Sequence, residues 1–429
     1  MTVERTGPAA RTGPAARTGP AARTGPAART GGAAPLPGGP PTGTFTLTSD
    51  DPGLAFATYA QLRATHPAAY TEDLGGYWAL TGYQDVRSAA SDAETFISSV
   101  KAVVPSDPRG IRRPPLNFDA PRHTPFRRAL HRTLAPGRVA ALSERIGERA
   151  ETLFEEFVAG DDDDLTRTFG TLLPAYAEAM WLNLDPERVT WLARTATAWV
   201  EAWRRQEGEA VTLHSERMYE VARWLVADRR SHPRDPREDP ASALLAERVD
   251  GQELDEEHMV GALRQSLVVG MVAPPLLIGG MARHLAEDPE LHRALRTGEV
   301  AMEPALEEFL RLYTPYRGFA RTVSRPTEVA GARLEPSEPV TLVYAAANRD
   351  PAEFPDPDRF DASRPNLDRH LGFGRGQHQC VGQHLARGII RAALQVMVHQ
   401  ADRLEVLGVP EPTRMPELGY QSVRIRVHR

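Results

Sequence analysis

The chain's single cysteine, Cys380, stands in Leu371–Arg387, LGFGRGQHQCVGQHLAR, the segment richest in residues able to do chemistry. Gly372, Gly374 and Gly376 let the backbone turn tightly and approach a flat object closely, and Gly382 opens a run with helical spacing. Cys380 therefore sits at a helix start, where free backbone N–H groups and the helix dipole favour a thiolate, the form of sulfur that binds metal. Three chemistries compete for the segment. A nucleotide-binding loop calls for a lysine and a hydroxyl after its glycines, and Gln377 and His378 stand there instead. A zinc site built from His378, Cys380 and His384 lacks a fourth ligand and the usual paired spacing. A thiolate ligand to haem iron needs one cysteine, a flexible glycine loop and a cationic neighbour, and all are present. A buried, unreactive cysteine in a turn would account for Cys380 but not for the loop.

Positioning such a site takes a large core, and 429 residues with 41% apolar composition can bury one, as one large domain or two to three ordinary ones. No apolar window of about 18 residues is free of charge or proline, and no charged-then-apolar leader opens the chain, so neither a membrane span nor a secretory signal is expected. A lone thiol suits a reducing compartment, which implies a cytoplasmic protein. The 51 basic residues, all arginine except Lys101, face 57 acids for a formal charge of -6, which argues against nucleic-acid binding. Arg-Thr-Gly-Pro-Ala-Ala repeats from Arg5, Arg11, Arg17 and Arg23; glycine and proline at that frequency forbid helix and ladder, so residues 1–44 are expected to be a disordered low-complexity tail before a domain at 45–429.

Within that domain the periodicity predicts helices over 56–66, 138–158, 190–204, 215–230, 253–285 and 302–312. Strands are expected at 77–80, 321–329, 340–344 and 422–427, too few for a doubly wound parallel sheet. The Asp161–Asp164 run reads as a solvated loop, since nothing spaces its acids as a calcium loop would.

The run Phe373-Gly374-x-Gly376-x-His378-x-Cys380-x-Gly382 resembles the haem-binding signature of the cytochrome P450 family, and the resemblance extends over most of 45–429. Glu308-Phe309-Leu310-Arg311 matches the family's Glu-x-x-Arg, whose ends share one helix face and pair as a structural element. Asn348–Pro351 and Phe354–Phe360 resemble the bacterial members' approach to the cysteine loop. The resemblance implies a mainly α fold with small β-sheets, haem b as cofactor, and Cys380 as the iron ligand within a loop shaped by Phe373, Gly374 and Gly382. His123 and Arg127, at i and i+4, together with Arg321 and His378, are implied to meet the haem propionates. The implied activity is monooxygenase oxidation of a small or medium organic molecule, of the secondary-metabolite kind. Ferredoxin and ferredoxin reductase are the implied electron donors to a monomer that binds neither membrane nor nucleic acid. Arg128, Arg132, Arg387 and Arg391 are expected to form a basic docking face for an acidic ferredoxin.

One segment departs from the family. Its acid-alcohol pair, which relays protons on the helix crossing the haem, falls on Val272 and Ala273 when counted back from Pro289, and neither can deliver a proton. Gly270 remains, but Pro274 and Pro275 follow, so a kink is expected. Protons could come from water or substrate; alternatively the enzyme uses peroxide, a substrate N–O group, or oxidation without oxygen insertion. A haem protein that only binds or senses ligands is the alternative from another class. Val100, Val269, Tyr316, Arg317 and Phe319 are the expected substrate contacts, with Val103, Val104 and Ile111 in an apolar wall. The helices over 191–224 are expected to form a lid, whose Trp199, Trp203 and Trp224 are either core residues or ligand contacts.

Overall fold

The structure, a computed structural model, describes residues 43–46, 49–105 and 111–429. The repeat over 1–42 lies outside these residues, but the last two residues assigned to the tail do not belong to one. Gly43–Thr44 form an edge strand in parallel register with Ala69 and Tyr70.

Long helices follow wherever apolar residues recur on one face. Pro136–Ala159 buries Leu142, Ile146, Ala150, Leu153 and Phe157, a spacing that draws one apolar stripe along it. That stripe packs on Gln383–His399, which begins just after Cys380, and on Phe169–Trp181. The latter helix is absent from the sequence reading because it is apolar nearly all round, FGTLLPAYAEAMW, and so shows no amphipathic period. Its full burial between neighbours, not its pattern, makes it a helix.

The β structure is small. Six strands lie in the order Gly43–Thr44, Ala68–Thr71, Tyr77–Leu80, Pro339–Leu342, Phe319–Val323, Phe96–Ile97. The strand expected over 321–329 is two strands, Phe319–Val323 and Thr327–Val329, and the one expected to reach 344 stops at Leu342 because Tyr344–Ala347 turns helical. The Asp161–Asp164 loop is tied down rather than merely solvated: Asp163 accepts from Arg424 at 2.7 and 2.6 Å, and Asp164 from Ser422 at 2.6 Å.

The stretch expected as one kinked helix over 253–285 is two. Glu256–Val269 starts with Asp255 accepting from the His258 N–H at 2.9 Å, and Ala273–Glu287 restarts after Gly270, Met271 and Val272. Pro274 and Pro275 thus occupy the first turn of a new helix, where a missing N–H costs nothing, instead of breaking the interior of an old one. By composition 256–287 is apolar enough to cross a membrane, yet 78% of its apolar window is buried inside the protein.

Glu308 and Arg311, both 0% exposed, form a two-pronged pair at 2.7 Å for each contact. Arg311 also donates to the carbonyls of Asn348 and Pro357, and Glu308 accepts from Arg364 and the Asp361 N–H. Because each charge is satisfied only by the other and by this loop, removing one strands the rest in a dry interior. Arg311→Ala should therefore cost about 3–5 kcal/mol and leave little folded protein, measured by denaturant melts and soluble yield.

Candidate active site

Gln383–His399 points its N-terminus at a cavity of about 320 Å³, and Cys380 lies in the wall three residues before that helix. The loop that presents the sulfur is closed by the Cys380 N–H donating to the Phe373 carbonyl at 2.9 Å. Gly374 and Gly376 adopt left-handed backbone at φ 68° and 74°, and a Cβ on Gly376 would lie 2.2 Å from the Ala90 carbonyl oxygen, so only glycine fits there. Gly382 and Phe373 line the cavity beside them.

Burial, with a smaller contribution from the nearby Glu178 carboxyl, pushes the Cys380 thiol up, and the Gly382 N–H, Arg127 and Arg387 pull it back only in part. The helix-start argument for a free thiolate is therefore outweighed by desolvation, and a cation at the sulfur is what would hold it ionised. Arg127 reaches the same cavity with no hydrogen bond or ion pair to a protein group among the described residues, its guanidinium partly desolvated. Arg321, on the strand Phe319–Val323, donates to the neighbouring Ala320 carbonyl and to the buried Tyr344 hydroxyl, and has no carboxylate partner among the described residues. His378 Nε2 is buried without a hydrogen bond, 3.7 Å from Asp119. A flat dianionic macrocycle carrying a metal fits this donor set: one sulfur, two cations and an unsatisfied imidazole around one apolar slot.

His123 is placed differently from expectation. It stands one layer behind the wall, its Nε2 donating to the Gln377 carbonyl at 3.3 Å, so it supports the cysteine loop's backbone. Burial holds both His123 and His378 below the ordinary histidine range, so near neutral pH they are neutral donors and the arginines carry the charge.

Opposite the sulfur the cavity is walled by Val269, Gly270, Val272, Ala273, Tyr316 and Phe319, with the last two rings 5.0 Å apart. Two expected contacts are not there. Arg317 is buried elsewhere, in the bend before the strand Phe319–Val323, where it donates to the Glu417 and Ser49 carbonyls. Val100 is 48% exposed, and Val103, one turn of loop further, takes its place. Trp199 and Trp203 stack at 5.7 Å in the cavity wall, whereas Trp224 lies outside it under the Arg188 guanidinium.

Sequence reading missed Glu178, which lines the cavity from Phe169–Trp181. The signal was present as a single acid in an otherwise apolar run. The docking-face arginines are also less free than expected: Arg128 and Arg132 share Glu247, Arg387 meets Glu307 at 2.6 and 2.9 Å, and Arg391 faces Glu303 at 3.5 Å. Arg375 on the cysteine loop is exposed and has no partner among the described residues.

Residues 301–421 match the family model described as Cytochrome P450. The chain is 31% identical over 379 residues to the mycinamicin IV hydroxylase/epoxidase of Micromonospora griseorubida, covering 85% of this chain and 92% of that one. It is 29% identical to the cyclomarin C epoxidase of Salinispora arenicola, over 86% and 94% of the two chains. Among solved structures, a Mycobacterium marinum cytochrome P450 in complex with pseudoionone superposes with a TM-score of 0.81 at 25% identity, covering 90% of this chain and 99% of that one.

Arg127 has no hydrogen-bond or ion-pair partner among the described residues, so Arg127→Gln should leave the melting temperature of the cofactor-free chain nearly unchanged while lowering haem retention several-fold. The measurement is haem per protein after gel filtration, alongside the melt.

Proposed function

Because the chain belongs to the cytochrome P450 family, we propose that it is a monooxygenase tailoring a small or medium secondary metabolite, for which Cys380 would supply the thiolate that holds the iron of haem b. The observation that carries this reading is the Cys380 sulfur in the wall of an apolar cavity with Arg127, unpaired among the described residues, beside it. Haem bound there supplies the iron at which dioxygen is activated, its thiolate ligand favouring O–O cleavage. The chain's own residues do the rest. Arg127 and Arg321 hold the propionate charges, with the His378 imidazole as a neutral donor and His123 fixing the loop from behind. Val103, Val269, Tyr316, Phe319, Trp199 and Trp203 exclude water and shape the space for substrate. Relatives acting on mycinamicin IV and cyclomarin C support a secondary metabolite as substrate.

Electrons come from a ferredoxin and its reductase, docked near the cysteine loop on the cytoplasmic protein. With Arg128, Arg132, Arg387 and Arg391 engaged by carboxylates, Arg375 is the open cation on that side. Val272 and Ala273, apolar at the helix break, favour a second reading in which peroxide or a substrate N–O group is the oxidant.

Three outcomes are expected. The ferrous-CO Soret band should be strongly red-shifted, and Cys380→Ala should abolish that shift; a histidine-like band in the wild type overturns the assignment. Arg375→Glu should slow ferredoxin-driven reduction at low salt and leave it unchanged at high salt, measured by stopped-flow. Installing the missing pair by Val272→Asp with Ala273→Thr should not raise product per electron consumed, whereas a large gain would mean that its loss is a handicap.

A further inference from the structure

Among the described residues Glu178 is the one carboxyl in the cavity wall, and it has no part in holding the cofactor. It is 5% exposed, no cation pairs with it among the described residues, and its Oε2 has no hydrogen-bond partner. Its Oε1 occupies the space that a side chain at position 270 would fill: a Cβ built on Gly270 would lie 1.7 Å from that oxygen and 2.4 Å from the carboxyl carbon. Gly270 is the first residue of the break between Glu256–Val269 and Ala273–Glu287, so the carboxyl is received where that helix is interrupted, beside Val272 and Ala273.

We propose that Glu178 is the proton donor of the pocket, a carboxylic acid carried on a neighbouring helix that serves the dioxygen-binding face in place of an acid on the broken one. This rests on the monooxygenase reading. Burial pushes the carboxyl up to about 8, so at neutral pH it is a neutral acid with a proton to give rather than an anion awaiting a cation. Oxygen insertion takes up two electrons from the ferredoxin and two protons per dioxygen, leaving one oxygen in product and one in water. Without substrate, the same two electrons and two protons reduce dioxygen to peroxide. In each case Oε2 gives up its proton toward the cavity, and the carboxylate is reprotonated from solvent. A second cavity of about 30 Å³ shares Val272 as a wall residue with the first and is lined by Thr166, Thr171, Glu201 and Arg204, which places polar groups on the far side of the break. Thr166 Oγ1 in it has no hydrogen-bond partner.

The test uses the haem-loaded full chain, a plant-type ferredoxin with its reductase and NADPH, and no substrate. In Glu178→Gln, which keeps the shape and removes the acid, dioxygen consumption should fall by at least about 10-fold and its solvent deuterium isotope effect should rise. The infrared difference spectrum between wild type and variant should show loss of one protonated-carboxyl band, while the ferrous-CO band stays in place. Glu178→Asp should recover a substantial part of the rate; if it is as slow as Glu178→Gln, the carboxyl only packs and the proposal fails. Unchanged consumption with an unchanged isotope effect in Glu178→Gln, or no carboxyl band lost, also overturns it. If Glu178→Gln does not load haem, Gly270→Ala, whose methyl takes the place of Oε1, carries the same expectation. Wild type that consumes no dioxygen overturns the monooxygenase reading and this proposal with it, whereas persistence of the wild-type rate in the variant overturns this proposal alone.

Discussion

Two charges with no access to water, Glu308 and Arg311, hold the site together from behind. Each would be intolerable alone in the interior, and their mutual pairing leaves spare donors and acceptors that must find backbone partners. Those partners are the carbonyls of Asn348, Pro357 and Arg359 and the Asp361 N–H, all in the irregular chain that leads to the cysteine loop. Asn348 passes the constraint on: its side chain donates to Thr314 at 2.7 Å and accepts from the Leu371 N–H at 2.6 Å. The loop carrying Cys380 therefore starts from a fixed point, and its sulfur is aimed by a network that never touches it.

On the opposite side the cavity owes its shape to an interruption. An unbroken helix through 256–287 would leave the groove at Gly270–Val272 filled by its own backbone turn. The prolines at 274 and 275 make continuation costly and restarting free, so the chain restarts. The gap at Gly270 then admits a carboxyl from another helix into an apolar wall, where nothing neutralises it except its own proton. Apolar residues at the break and a buried acid from a second helix thus share one wall of the cavity.

How much of this could be read from the residues depends on how local each feature is. The cysteine loop and the Glu308–Arg311 pair announce themselves through spacing, because a left-handed glycine, an i,i+3 pair and a helix start are decided within a few residues, whereas Arg127, Arg321, Tyr316 and Phe319 were implied only by the resemblance to the family. The long amphipathic helices are legible for the same reason. Phe169–Trp181 was not, since a helix buried all round has no polar face to set its period.

The sequence by itself determined the chemistry on offer: one sulfur at a helix start, two cations for an anionic cofactor, and a helix without its acid and alcohol. Tertiary structure alone decided which groups share a space. It tied Arg317 to buried carbonyls away from the cavity and turned Val100 to the surface, set His123 behind the loop, and bound the four expected docking arginines to carboxylates. It also brought Glu178 against Gly270, residues far apart along the chain that meet only because two helices pack face to face. Local rules fix what a residue can do; what it does next depends on burial and partners, and those are properties of the folded whole.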